Sequence, residues 1–333
     1  MADEVIDRMV ARIRKGKGFV VSSHVRLDGD GIASALAVDL LLGGLGKESL
    51  VMTPGPIPHA FRFLPGAGRA VNLQESPGTP LPKRLDTLVV ADVAERARLE
   101  GVLRLLPKDI FTISIDHHRT GDLAADIEYS DPEASSTGEL IRRIARIGGF
   151  TVTPEVATNI YTAVMTDTQR FSLPNTTPAA LRIAAEMMEL GAEPGPIGDR
   201  VYRSLLPGQL ALWGEVAQEV HLDPSGRLAW ATLTEEMLKR HGVHPDDTQD
   251  FADIPRTLEG VDVGVLFREC AEGAGVRVSL RSNRIPVMQV AERFGGGGHE
   301  LACGCELEGT LEEVQQRVLD ALREILEVGP AGA

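Results

Sequence analysis

Asp116, His117 and His118 stand together at the end of an apolar run, Phe111-Thr112-Ile113-Ser114-Ile115. Three further acidic positions close apolar runs in the same way. Val20-Val21-Ser22-Ser23 leads into His24, Asp28 and Asp30, Leu88-Val89-Val90-Ala91 leads into Asp92, and Val164-Met165-Thr166 leads into Asp167. Carboxylates with a minority of imidazoles form a hard donor set, which suits manganese or magnesium better than zinc or copper. The pattern predicts one metal site assembled from several strand ends, and a two-metal hydrolase is the chemistry that such a set serves.

The spacing His24-x-x-x-Asp28-x-Asp30 offers three donors from one tight loop, and Gly29 and Gly31 would let its two carboxylates face different ions. Asp92 could bridge two ions through its two oxygens, with His117 and Asp167 completing the second coordination sphere. Two ions about 3.5–4 Å apart would hold a hydroxide and clamp a phosphoryl group for in-line displacement. Each piece also has a plainer reading. A strand-end aspartate often caps a helix, and adjacent histidines can be structural. Gly29-Asp30-Gly31-Ile32-Ala33-Ser34 approaches a dinucleotide-binding loop but lacks its third glycine and would aim an aspartate at a pyrophosphate. The joint occurrence of donors at four run ends favours the metal site.

The elements that must position these residues follow from periodicity. Short β-branched runs alternate with helical patterns through the first half, as in a parallel sheet covered by helices. Strands are expected at 18–23, 49–53, 87–91, 111–115 and 126–129, and helices at 31–42, 139–147, 154–165 and 178–190. Ser135, Ser136 or Thr137 is available to cap the second helix, and Gly148-Gly149 stops it. Ala192-Glu193-Pro194-Gly195-Pro196 breaks the pattern, marks the expected hinge, and precedes a helical connector from Ile197 to roughly Glu219. Strands at 228–233, 261–269 and 275–281, with helices at 235–240, 287–294 and 311–326, then predict a smaller α+β domain.

Composition bounds the function. A chain of 333 residues leans towards two domains, and 43% hydrophobic with 25% charged residues describes a soluble globular protein. A formal net charge of -14 excludes nonspecific grip on long nucleic acid, which needs many basic contacts to phosphate. The three cysteines, Cys270, Cys303 and Cys305, form no CxxC pair and support neither a disulfide framework nor a zinc ribbon. Met1 to Lys17 is charged throughout and unlike a signal peptide, and the apolar stretch near Ala35 to Leu45 is too short to span a bilayer. A cytoplasmic protein with no membrane association is expected.

The set His24-Val25-Arg26-Leu27-Asp28-Gly29-Asp30, then Asp92, then Asp116-His117-His118, then Asp167-Thr168 resembles the four motifs of the DHH phosphoesterase superfamily. That superfamily includes RecJ-like exonucleases and manganese-dependent pyrophosphatases. The resemblance implies two manganese ions, with magnesium or cobalt as alternatives. One would be held by His24, Asp28 and Asp92, and the other by Asp30, Asp92, His117 and Asp167. It further implies that His118 contacts the substrate phosphate and helps stabilise the transition state or the leaving oxygen, while Asp116 orients the histidine pair.

Arg281-Ser282-Asn283 at a strand end, followed by Gly295-Gly296-Gly297-Gly298-His299, resembles the DHHA1 domain that follows the DHH domain in one subfamily. The implied organisation is an α/β chain with a DHH catalytic domain over 1–191, a helical linker over 192–219 and a DHHA1 substrate-binding domain over 220–329, with the active site in the cleft between the domains. Arg281, Ser282, Gly296, Gly297, Gly298 and His299 would bind substrate, the glycines because backbone amides can then approach a phosphate or base.

The compact length resembles the nano-RNase A type, bifunctional oligoribonucleases and adenosine bisphosphate (pAp) phosphatases. The implied partners are single-stranded RNA of about two to four nucleotides, pAp and related nucleotides; so short a substrate needs few cations. A homodimer is one of the oligomeric states left open. Turnover of pApA or cyclic di-AMP, polyphosphate hydrolysis, and a noncatalytic nucleotide-binding module are the competing readings. The last would be expected to have lost metal donors, and this chain keeps the full inferred set. Gln169 and Arg170 follow the Asp-Thr of the fourth motif where many members have glycine, Arg119-Thr120 replaces a nearby asparagine, and Cys303 stands where a small residue is usual.

Overall fold

The computed structural model describes residues 2–76, 78–99, 101–118, 121–270 and 275–328. Arg119, Thr120 and the end of the second predicted domain at 329 lie outside that set. The chain divides into two compact units, Met1–Ser204 and Leu205–Ala333.

In the first unit the strands are β1 (Gly18–Ser22), β2 (Glu48–Thr53), β3 (Val71–Asn72), β4 (Leu85–Ala91), β5 (Phe111–Asp116) and β6 (Ile127–Ser130). The helices are α1 (Ala2–Lys15), α2 (Gly29–Gly44), α3 (Val102–Leu105), α4 (Thr137–Gly148), α5 (Pro154–Asp167), α6 (Pro178–Glu189) and α7 (Pro194–Tyr202). All six strands pair in parallel in the order β3-β2-β1-β4-β5-β6. Every residue of β1 is buried, as expected of a central parallel strand covered on both faces. Phe19, Val21, Val89, Ile113 and Ile115 face a core shared with α1, α2, α4 and α5, whereas Val20, Leu88 and Val90 face a second core with Leu99, Val102 and Leu123.

The order has a functional consequence. From β1 the chain winds outward through β2 and β3, then returns to β4 on the other side of β1 and winds the opposite way. The strand order therefore reverses between β1 and β4, and a crevice opens at their carboxyl ends, the place where ligands bind in open α/β sheets. His24 follows β1 and Asp92 follows β4.

Local sequence explains the helices that frame this crevice. Asp28 caps α2, accepting from the Gly31 N–H at 2.9 Å. Ser136 caps α4, and Gly149, at φ 63°, stops it in the left-handed conformation that glycine adopts without penalty. Pro154 and Pro178 open α5 and α6 behind the capping residues Thr153 and Thr177. The amino-terminal segment read only as charged is a helix, because Ile6, Met9, Val10 and Ile13 fall on one buried face.

In the second unit α8 (Pro207–Gln218) is followed by β7 (His221–Leu222), β8 (Leu228–Leu233), α9 (Glu235–His241), β9 (Val263–Glu269), β10 (Val276–Ser282), α10 (Met288–Arg293), β11 (Gly297–His299), β12 (Ala302–Leu307) and α11 (Leu311–Val328). Its mixed sheet runs β11-β12-β10-β9-β8-β7, with β8 and β9 parallel and the other neighbours antiparallel. Val314, Val318, Leu322 and Leu326 of α11 bury against Val265, Phe267, Val278 and Leu280 on one face, and Leu212 and Val216 of α8 pack with Ala231, Leu233 and Leu266 on the other.

The expected connector over 192–219 is not a separate element. It breaks into two helices at Arg203–Leu206, since α7 buries Ile197 and Val201 in the first core while α8 buries Leu212 and Val216 in a core of the second unit. The chain passes between units after Ser204 and not at Ala192–Pro196, where Ala192 is itself buried. Among the described residues, no helix is long and apolar enough to cross a membrane.

Candidate metal centre

At the β1/β4 switch point six donor side chains converge. His24 Nε2 lies 3.5 Å from Asp28 Oδ1 and 3.4 Å from Asp92 Oδ2. His117 Nε2 lies 3.7 Å from Asp30 Oδ2, 3.6 Å from Asp92 Oδ1 and 3.6 Å from Asp167 Oδ2. The two oxygens of Asp92 thus face opposite ways, Oδ2 towards His24 and Oδ1 towards His117. Three donor groups share this one carboxylate: His24 with Asp28, Asp30 with His117, and Asp116 with His118.

Two elements differ from the strand-end expectation. Asp167 ends α5, so a helix delivers the fourth donor; the apolar run before it is a buried helix segment, which a short stretch of sequence does not distinguish from a strand. Asp30 belongs to the first turn of α2 and not to a loop. Gly29 and Gly31 are accordingly helical, and closeness explains them better than backbone freedom. A Cβ on Gly29 would meet Thr166 Oγ1 of α5 at 2.4 Å, and one on Gly31 would meet Ser23 Oγ at 2.5 Å and His24 Nε2 at 2.9 Å.

Hydrogen bonds fix the donors. Thr137 N and Gly138 N, at the start of α4, donate to Asp30 Oδ2 and Oδ1 at 2.6 and 3.1 Å, and Ser34 Oγ donates to Oδ1 at 2.9 Å. Thr137 Oγ1 donates to Asp92 Oδ1 at 3.2 Å. Asp92 itself has φ 62°, a left-handed position that aspartate tolerates, and its N–H is tied to Ile115 O at 2.9 Å. His117 Nδ1 lies 3.3 Å from Ala134 O and His24 Nδ1 lies 2.9 Å from Val25 O. For His117 a carbonyl partner of that kind places the ring proton on Nδ1 and leaves Nε2 facing the carboxylates.

Electrostatics describe a crowded acidic site that draws its histidines towards the protonated form. Burial alone would lower His24, but the charge of Asp28 and hydrogen bonding to Asp28 and Asp92 push it up to about 10. Burial, with Asp92 and Asp28 nearby, raises the Asp167 carboxyl to about 6 against the pull of His117. Burial and the neighbouring carboxylates also hold Asp30 well above the usual carboxylate range. Carboxylates that take up protons when crowded are groups that cations would relieve, so the donors fit a pair of hard divalent ions.

Asp116 and His118 sit beside this cluster. Asp116 Oδ1 accepts from His118 Nδ1 at 2.7 Å and from His117 N at 2.9 Å. His118 Nδ1 is also 3.6 Å from Asp92 Oδ1. Asp28 and Asp167 keep side-chain exposures of 48% and 21%, against 2–4% for His24, Asp30, Asp92 and His117, so they mark the open side of the centre.

In the second unit Arg281 and His299 stand in register on either side of Ala302, on β10 and β11 flanking β12. Cross-strand partners share a face, so the Arg281 guanidinium and the His299 imidazole are brought to one level of one sheet face. The predicted glycine loop is in part a strand. A Cβ on Gly296 would meet Gly304 O at 2.1 Å, and one on Gly298, at φ 133°, would meet Ala302 O at 2.8 Å, so both are required by close approach to β12. Ser282 is buried and its hydroxyl accepts from Ile285 N at 2.8 Å and Arg284 N at 3.3 Å, bonds that hold the turn after β10. Cys303 points into the core of this unit.

Sequence reading missed Thr137 and Gly138, whose amides grip Asp30; the run Ser135-Ser136-Thr137-Gly138 before a helix was their only signal. It also missed Arg98, whose guanidinium lies 3.1 Å from His24 Nδ1, and Asn175, which donates to Asp167 Oδ2 at 3.3 Å. Nothing in the spacing of Arg98 or Asn175 marks them. Gln169, Arg170 and Phe171 have φ of 43°, 61° and 61°, three successive left-handed residues, each costing roughly 1–2 kcal/mol without a glycine.

Known proteins resemble the chain throughout. The model of the DHH family N-terminal domain matches residues 18–166 and that of the DHHA1 domain matches 228–328. The bifunctional oligoribonuclease and PAP phosphatase NrnA of Thermus thermophilus is 36% identical over 325 residues, 96% of this chain and 94% of the relative. NrnA of Bacillus subtilis is 26% identical over 291 residues, 86% of this chain and 88% of the relative. Among solved structures, an exopolyphosphatase-related protein from Bacteroides fragilis superposes with a TM-score of 0.86 at 27% identity, covering 96% of each chain. The similarity to NrnA over nearly the whole length, with both domain models in order, shows that the chain belongs to the DHH/DHHA1 phosphoesterases of the nano-RNase A type.

Proposed function

We propose that the chain is a manganese-dependent hydrolase that degrades short oligoribonucleotides to mononucleotides and removes a phosphate from pAp in the cytoplasm. The observation that carries the two-ion reading is Asp92, whose two oxygens face two separate donor groups. The substrate class is supported by the activities for which the NrnA relatives are named.

In this reading His24, Asp28 and Asp92 hold one ion, and Asp30, Asp92, His117 and Asp167 hold the other. When bound, the pair would draw charge from the phosphoryl oxygens and supply a hydroxide near neutral pH. The remaining work falls to side chains. His118 is raised above the usual imidazole range: burial lowers it, but the Asp116 hydrogen bond and the charge of Asp92 prevail. With Nδ1–H committed to Asp116, Nε2 presents a proton to a phosphate oxygen or to the departing ribose oxygen. In the second unit Arg281 and His299 offer charge to a further phosphate, and the exposed backbone of the Gly297–His299 edge strand offers hydrogen bonds to a base or phosphate.

Incubation of the pure protein with manganese and pApA, pAp, cyclic di-AMP, polyphosphate and longer RNA tests this. Mononucleotide release from pApA and phosphate release from pAp, both faster than cyclic di-AMP opening and polyphosphate hydrolysis, is the expected outcome. No product with any divalent metal would refute hydrolysis, and dominant polyphosphate hydrolysis would refute the nucleotide assignment.

A further inference from the structure

We infer that Asn175 is a positioning residue that sets the second ion site by holding Asp167 at a fixed distance from the segment that grips Asp30. Its Nδ2 donates to Asp167 Oδ2 at 3.3 Å, to Asp167 O at 3.1 Å and to Ser135 O at 3.1 Å. Ser135 leads directly into the α4 amino terminus, where Thr137 N and Gly138 N hold both oxygens of Asp30. Ser135 is itself fixed there, its N–H and hydroxyl both donating to Glu139 Oε2. One amide therefore ties two acidic donors that approach His117 from different helices.

The amide cannot be reversed. All three partners of Nδ2 are acceptors, so turning Oδ1 towards them would set oxygen against oxygen three times. Oδ1 is buried and has no hydrogen-bond partner among the described residues. The chain also adopts an unusual path to bring Asn175 back. After α5 it passes through the left-handed run Gln169-Arg170-Phe171, held by Arg170 N to Met165 O at 2.8 Å and Phe171 N to Thr168 Oγ1 at 3.1 Å. Phe171 packs edge-on against Tyr161 and the Arg170 guanidinium lies 4.5 Å above the Tyr202 ring. Strained backbone of this kind persists where the surroundings over-determine it, and here its effect is to return residue 175 to the end of α5.

The inference rests on the assignment of Asp167 to the second ion. It is tested by titrating manganese into metal-free parent, Asn175→Leu, Asn175→Ala and Asn159→Ala, reading free manganese by electron paramagnetic resonance and following thermal unfolding alongside. Leucine keeps the branching of asparagine at Cγ without its donor, and alanine removes the donor without added bulk. Asn159 is a control for a buried amide in α5, bonded to Pro65 O at 3.0 Å. The expected result is two equivalents in the parent, a second equivalent weakened about 10- to 100-fold in both Asn175 variants with the first little changed, and no such split in Asn159→Ala. Parent-like binding of both equivalents in the Asn175 variants would overturn the inference, as would equal weakening of both equivalents in step with lost thermal stability. A parent that binds a single equivalent would overturn the assignment of Asp167 itself.

Discussion

Asp116 accepts a 2.7 Å hydrogen bond from Nδ1 of His118, and this pairing fixes the orientation of the ring. His118→Ala should lower kcat roughly 100- to 10,000-fold, the usual scale for a lost proton donor, with manganese stoichiometry unchanged. Asp116→Asn should cost less, about 10- to 100-fold, because the ring is misoriented but still present. Steady-state rates on pApA beside metal titration measure both. A larger effect from Asp116→Asn than from His118→Ala would contradict the division of roles.

Asp92 is the shared carboxylate, so it should be the least replaceable donor. Asp92→Ala is expected to lower turnover by several orders of magnitude and to abolish paired manganese binding, with the far-ultraviolet circular dichroism of the parent retained. Near-normal activity in this variant would be incompatible with a two-ion site.

Gly31→Ala should disturb the first ion without touching a donor atom. The added methyl would fall 2.9 Å from His24 Nε2 and 2.5 Å from Ser23 Oγ, both deeply buried, so the ligating nitrogen must shift. A roughly 10- to 100-fold loss of affinity for one manganese is expected, on the scale of disturbed ligand orientation. Calorimetric titration showing parental affinities would mean that the crevice relaxes freely around the methyl.

Stability of the metal-free protein should fall as pH rises. His24 is raised from 6.5 to about 10 in the folded state, so its contribution is complete below pH 6.5 and disappears as pH climbs through 10. Asp167, raised to about 6, acts in the same direction at lower pH, because ionising it in the fold is unfavourable. Ions replace these protons, so the gain in Tm on adding manganese should widen from pH 6 to pH 9. Differential scanning calorimetry at both values, with and without chelator, measures this; a gain that narrows with pH would refute it.

Much of the site was legible because its donors follow strands. The β-branched runs before His24, Asp92 and Asp116 predicted three strands of the sheet, and hard donors at their ends predicted the ion pair. Asp167 was expected at a strand end and lies at a helix end, since Val164-Met165-Thr166 is equally apolar on a buried helix. Thr137, Gly138, Arg98 and Asn175 act through backbone amides or long-range contacts, and neither leaves a period or motif in the chain. The helix at Ala2–Lys15 did leave one, in Ile6, Met9, Val10 and Ile13, which the surrounding charges obscured. The connector failed because a helical pattern does not say which core will bury it.

Hydrolysis of short nucleotides at a two-ion centre is read out by product analysis over time on a ladder of RNAs from two nucleotides upward, beside pAp. With manganese, mononucleotides should be released fastest from the shortest RNAs, phosphate should be released from pAp, and both activities should be lost together in Asp92→Ala. Long RNA degraded as fast as dinucleotides, or nucleotide hydrolysis that survives in Asp92→Ala, would contradict it.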